Sequence, residues 1–168
     1  MPISGGRAIL CFVELGWQMF PVSAKIFNSS LSSTERIFIR LDGRGNRIYY
    51  PGETLAGSYF LNEIRRDSID TIECSVLWHT EGKGNEDVGA HAFWRLSSQN
   101  GDWIDPLQPG RFSVVLPESP LTYNGNIVKI RWSVRLRVFL SNGAQLMEET
   151  PFYLGDLPDM RTLKLFAG

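Results

Sequence analysis

This chain of 168 residues predicts an all-β fold, an immunoglobulin-like antiparallel β-sandwich of about seven strands. Three observations predict it. Residues 128–140 read V-K-I-R-W-S-V-R-L-R-V-F-L, apolar at every even position, with Lys129, Arg131, Arg135 and Arg137 at odd ones. That alternation is the period of a strand with one wet face. At about 3.3 Å per residue the segment spans roughly 43 Å, about twice the common strand length, which suits long antiparallel pairs. Shorter alternating segments recur between Gly, Pro and Asn turns. No convincing amphipathic helix lies in the body of the domain, so sheet-on-sheet packing is the expected outcome.

The elements follow in chain order. Residues 1–34 are a weakly patterned extension that ends in the Ser/Asn-rich run 28–34, read as a linker. Ile37, Ile39 and Leu41 alternate before the turn 42–46, whose Asp, Gly and Asn tolerate positive φ. Tyr50-Pro51-Gly52-Glu53 is a second turn, and Leu55, Gly57, Tyr59 and Leu61 mark the next strand. Ile72, Cys74, Val76 and Trp78 alternate up to the Gly-rich loop 81–87, after which Val88, Ala90, Ala92, Trp94 and Leu96 return as a hairpin. Phe112, Val114 and Leu116 form a short strand stopped by Pro117 and Pro120. Tyr123-Asn124-Gly125 turns into the long basic strand, and Ser141-Asn142-Gly143 closes the last hairpin, into residues 147–154. The domain is expected over residues 35–156, with 157–168 as a tail.

Composition narrows the function. Hydrophobic residues make up 43% and charged residues 21%, so the disordered, collagen-like and membrane classes fall away. A formal net charge of −1 gives no global pull toward nucleic acid, and binding of anions must rest on a local patch. Cys11 and Cys74 have no metal-ligand spacing and read as free thiols in a reducing, cytoplasmic compartment. The Asn28-Ser29-Ser30 sequon matters only under secretion. Residues 8–20 are apolar but interrupted by Glu14, too short for a membrane span and poor as a signal core.

Covalent chemistry finds little support. His79 and His91 lie on strands joined by a hairpin, yet only the loop acids Glu81, Glu86 and Asp87 stand near them in sequence, so no metal site is expected. Glu81-Gly82-Lys83-Gly84 lacks the order of a phosphate loop and the helix such a loop requires. No cofactor or catalytic grouping is expected. Two binding surfaces remain. Lys129, Arg131, Arg135 and Arg137 form either a solvated face paired with acids such as Glu73 or Glu148, or a groove for an acidic or phosphorylated segment. Asp102, Trp103 and Asp105 are the alternative, a loop site for a carbohydrate or another small molecule. Trp78, Trp94 and Trp132 are expected in the core.

The turn Tyr50-Pro51-Gly52-Glu53 with Leu55 and Gly57, and the turn Leu116-Pro117, Pro120, Tyr123-x-Gly125 leading into Ile130-x-Trp132-x-Val134-x-Leu136-x-Val138, resemble the arrestin N-terminal domain. The resemblance covers residues 36–156, with Thr122 where the family usually has Ser. It implies an arrestin-like sandwich acting as an adaptor or scaffold that binds protein, with no enzymatic activity. Arrestins pair two such sandwiches and this length accommodates one, so receptor and coat-protein binding are not carried across. Sheet edges would also allow a homodimer by strand addition.

Overall fold

A computed structural model describes residues 36–43, 47–83 and 86–155. The extension 1–34, the tail 157–168, Cys11 and the sequon lie outside the described residues. The expected sandwich is the observed architecture. Nine strands occur among the described residues: β1 (Ile37–Leu41), β2 (Ile48–Tyr49), β3 (Thr54–Leu61), β4 (Ile69–Gly82), β5 (Val88–Ser97), β6 (Gly110–Val115), β7 (Tyr123–Asn124), β8 (Val128–Leu140) and β9 (Gln145–Leu154). Only β2 and β7 are as short as two residues, and the other seven are those expected from alternation.

One sheet has the order β1-β3-β6, the other β2-β9-β8-β4-β5, with β7 pairing β8 where β9 stops. Pairing is antiparallel except for the two-residue parallel contact of β2 with β9. That contact departs from the purely antiparallel expectation: β2, which in sequence falls between β1 and β3 of the small sheet, lies in the large one and runs parallel to β9.

The core is built from the inward rows of both sheets. Ile37, Leu55, Tyr59 and Phe112 on the small sheet face Ile72, Cys74, Val76, Trp132, Val134, Leu136 and Phe152 on the large one. Trp132 is only 1% exposed, packs against Phe152 with ring centroids 5.8 Å apart, and donates its indole N–H to the Pro120 carbonyl at 2.8 Å. Trp78 and Trp94 were expected in the core; they are half-buried at its rim. Both stand near the open β5 side, where no further strand covers them among the described residues. Cys74 is a free thiol, and burial pushes its pKa up to about 12.

The two turns that carry the family resemblance are stitched together. Gly52, at φ 77°, takes the third position of the turn, where a side chain would be strained. Its N–H bonds the Leu116 carbonyl at 3.0 Å, and the Leu116 N–H returns to Glu53 O at 2.9 Å. The Glu53 carboxylate also caps the Tyr50 N–H at 2.9 Å. Gly57 is small by necessity, since a Cβ there would lie 2.6 Å from both the Arg40 carbonyl and the Phe112 ring. The Thr122 hydroxyl accepts the Leu154 N–H at 2.8 Å, tying the second turn to the end of β9.

Candidate functional site

The register of β8 fixes what its cations meet. On the outer face Arg137 stands opposite Glu73, Arg135 beside Glu149, and Arg131 next to His79 and Glu81. The ion pairs follow from that placement: Arg137–Glu73 at 2.6 Å, Arg135–Glu149 at 2.9 Å and Arg131–Glu81 at 3.4 Å. Lys129 faces Glu81, whose carboxylate is already engaged by Arg131 and His79. Burial slightly opposes ionisation of Glu81, but hydrogen bonds from Arg131 and His79 outweigh it and hold its pKa below the ordinary value.

Of Lys129, Arg131, Arg135 and Arg137, the three arginines thus meet carboxylates on the neighbouring strands. Three of the four are compensated in place, the arrangement of a solvated, charge-paired strand face. Glu148, expected as one of the pairing acids, belongs to the other row. It stands opposite the buried Leu136, and Glu149 supplies the carboxylate instead.

One carboxylate is overdrawn. Glu73 meets Arg137 at 2.6 Å and also the exposed Arg95 of β5 at 3.9 Å, leaving a net positive charge beside the sheet edge. β5 is the terminal strand of the large sheet, and its outer side has no partner among the described residues. It exposes Val88, Phe93 and Leu96 along that edge. Between Val76 and Leu77 its pairing with β4 skips His91, a bulge that separates Val88–Ala90 from a regular run of Ala92 to Ser97. Sequence alternation gave β5 its strand character, but strand order is what leaves it at an edge, and no local pattern encodes strand order.

The bulge also separates the histidines. His79 Nε2 lies 3.5 Å from Glu81, whereas His91 Nε2 lies 2.7 Å from the Val115 carbonyl on the opposite sheet. No group of three His, Cys, Asp or Glu side chains able to hold a metal ion occurs among the described residues.

In the alternative loop site Trp103 is 72% exposed, and the Arg66 guanidinium lies 3.1 Å over its ring centroid. Asp102 accepts the Ser97 N–H at 2.9 Å and Asp105 the Leu107 N–H at 3.0 Å, so both carboxylates serve as turn caps. A concavity of about 340 Å³ is lined by none of these three residues. It lies on the outer face of the small sheet.

No family model and no curated protein matches the chain. Among solved structures it is similar to the sporulation control protein Spo0M from Bacillus subtilis, with a TM-score of 0.51 and 16% identity over 73% of this chain and 50% of that one. The chain thus spans about half the length of that structure. A weaker likeness, TM-score 0.45 and 9% identity, covers 72% of this chain and 81% of the superoxide reductase (neelaredoxin) from Ignicoccus hospitalis. No helix among the described residues is long and apolar enough to cross a membrane. What the likeness to Spo0M establishes for this chain is its fold, a β-sandwich.

Proposed function

We propose that this chain works by binding protein rather than by catalysis, taking an extended, acidic segment of its partner as an added strand on β5. The carrying observation is the edge itself: a ten-residue terminal strand with Val88, Phe93 and Leu96 exposed and no partner among the described residues. Main-chain hydrogen bonds supply affinity in such recognition, and alternate side chains supply choice of partner. The regular run Ala92 to Ser97 has length for such a segment, and Arg95, left with a shared carboxylate, favours an acidic side chain opposite it. The solved structure it resembles is a sporulation control protein, a regulatory designation in keeping with this reading, although the reading rests on the edge.

The test is amide hydrogen exchange on the full chain with a peptide taken from a captured partner. The peptide should protect amides of β5, and the binding should vanish in Phe93→Lys and Arg95→Glu without loss of melting temperature. Concentration-dependent dimerisation removed by the same substitutions would make a second copy the occupant. Protection confined to other strands would sink the edge assignment.

A further inference from the structure

We propose that the outer face of the three-stranded sheet carries a second binding site, for an organic carboxylate with an apolar or aromatic body, clamped between Arg40 and Arg111. Register places Arg40 on β1 opposite Ser58 on β3, and Ser58 in turn opposite Arg111 on β6. All three belong to the outward row, since Ile39 and Phe112 beside them are core residues. With strands about 4.8 Å apart, the two arginines rise roughly 10 Å from each other over a small central residue. Ser58 is the floor; a larger side chain at that position would fill the gap that the arginines flank.

The two arginines differ from those on β8. Neither Arg40 nor Arg111 has an ion pair or hydrogen bond to a carboxylate among the described residues, although both line the concavity of about 340 Å³. Planar guanidiniums converging on one opening suit an oxyanion, which each can hold through paired N–H donors. Asp42 also lines the opening, so two cations and one anion leave a charge of +1 around it. That balance matches a singly charged carboxylate better than a doubly charged phosphate.

The apolar part of the ligand is argued from the walls. Phe60 and Pro109 line the same opening, and Phe60 is held in place by stacking on Phe38, with ring centroids 4.5 Å apart and planes 10° from parallel. A ring or aliphatic body would lie against Phe60 while its carboxylate reaches the arginines. This site is on the opposite sheet from β5, so it stands or falls independently of strand addition there.

The experiment is a titration of the full-length protein with benzoate, acetate and phenyl phosphate at about 0.15 M ionic strength, where exposed charge effects are screened, followed by backbone amide NMR. Benzoate should give saturable shifts centred on Ser58 and Phe60, with acetate weaker for lack of a body. Arg40→Gln and Arg111→Gln should each weaken benzoate at least about tenfold, the loss expected for one charge-assisted contact. Arg65→Gln, which removes an exposed cation elsewhere, should leave binding unchanged. Because Arg40 and Arg111 are exposed, unchanged melting temperatures would show that both variants stay folded. Unsaturable shifts, or equal binding in the double variant, would overturn the site, and tighter binding of phenyl phosphate than of benzoate would overturn the carboxylate assignment.

Discussion

Replacing Trp132 with Ala tests the assignment of inward and outward faces on which the whole sandwich depends. The side chain is 1% exposed, touches Phe152 and His91 through its ring, and satisfies the Pro120 carbonyl through its N–H. Truncating a buried aromatic to Ala costs about 3–5 kcal/mol, and the stranded carbonyl lies within that figure or adds slightly to it. Against the ~5–15 kcal/mol that holds a domain together, the loss should lower Tm by roughly 10–20 °C or prevent folding outright. Trp132→Phe separates the two contributions: it keeps most of the packing and gives up the hydrogen bond, so it should lose about half as much or less. Urea denaturation followed by far-ultraviolet circular dichroism measures both, with Trp103→Ala, at a 72% exposed position, as a variant expected to change little. If Trp132→Ala melted within a few degrees of the parent, the inward face of β8 would have been assigned the wrong way round, and the charged row would have to be reconsidered with it.

Gly57→Ala should destabilise the domain by about 1–3 kcal/mol, because the new methyl group meets the Arg40 carbonyl and the Phe112 ring and the backbone carbonyl cannot swing aside; equilibrium unfolding in urea measures it, and an unchanged midpoint would count against the close approach of β1 and β3. A double-mutant cycle on Arg137→Ala and Glu73→Ala should return a coupling of about 0.5–1 kcal/mol, and zero coupling would reopen the cationic groove on β8. Burial and then the neighbouring charge of Glu149 raise the pKa of Glu148, so its ionisation costs stability above that raised value and the cost disappears as pH falls below the unfolded value of about 4.3. Glu148→Gln should therefore melt slightly higher than the parent near pH 7 and no differently near pH 3, a comparison that thermal scans at the two values settle.

What was legible in the sequence was whatever a single strand encodes by itself. Thirteen alternating residues gave β8 its faces, and the same period found Ile37, Leu55, Phe112 and their neighbours as core. Gly52 was legible for the same reason, since its positive φ is a demand of the turn itself, whereas the close approach that keeps Gly57 small involves Arg40 of β1 and Phe112 of β6. What stayed hidden depended on which strand lies beside which. The four cations of β8 look open when that strand is read alone, and three of them are compensated only because β4 on one side and β9 on the other bring Glu73, Glu81 and Glu149 into register.

Arg40 and Arg111 show the converse. Each is a solitary cation on a short strand with no local pattern to mark it, and only pairing through Ser58 sets them side by side. A cluster of charge along one strand is easily seen in a sequence, but it is also where neighbouring strands most gain from placing acids, so visibility and neutralisation go together. Arg40 and Arg111, on strands that meet only in three dimensions, escape that compensation among the described residues, which leaves them free to engage a ligand.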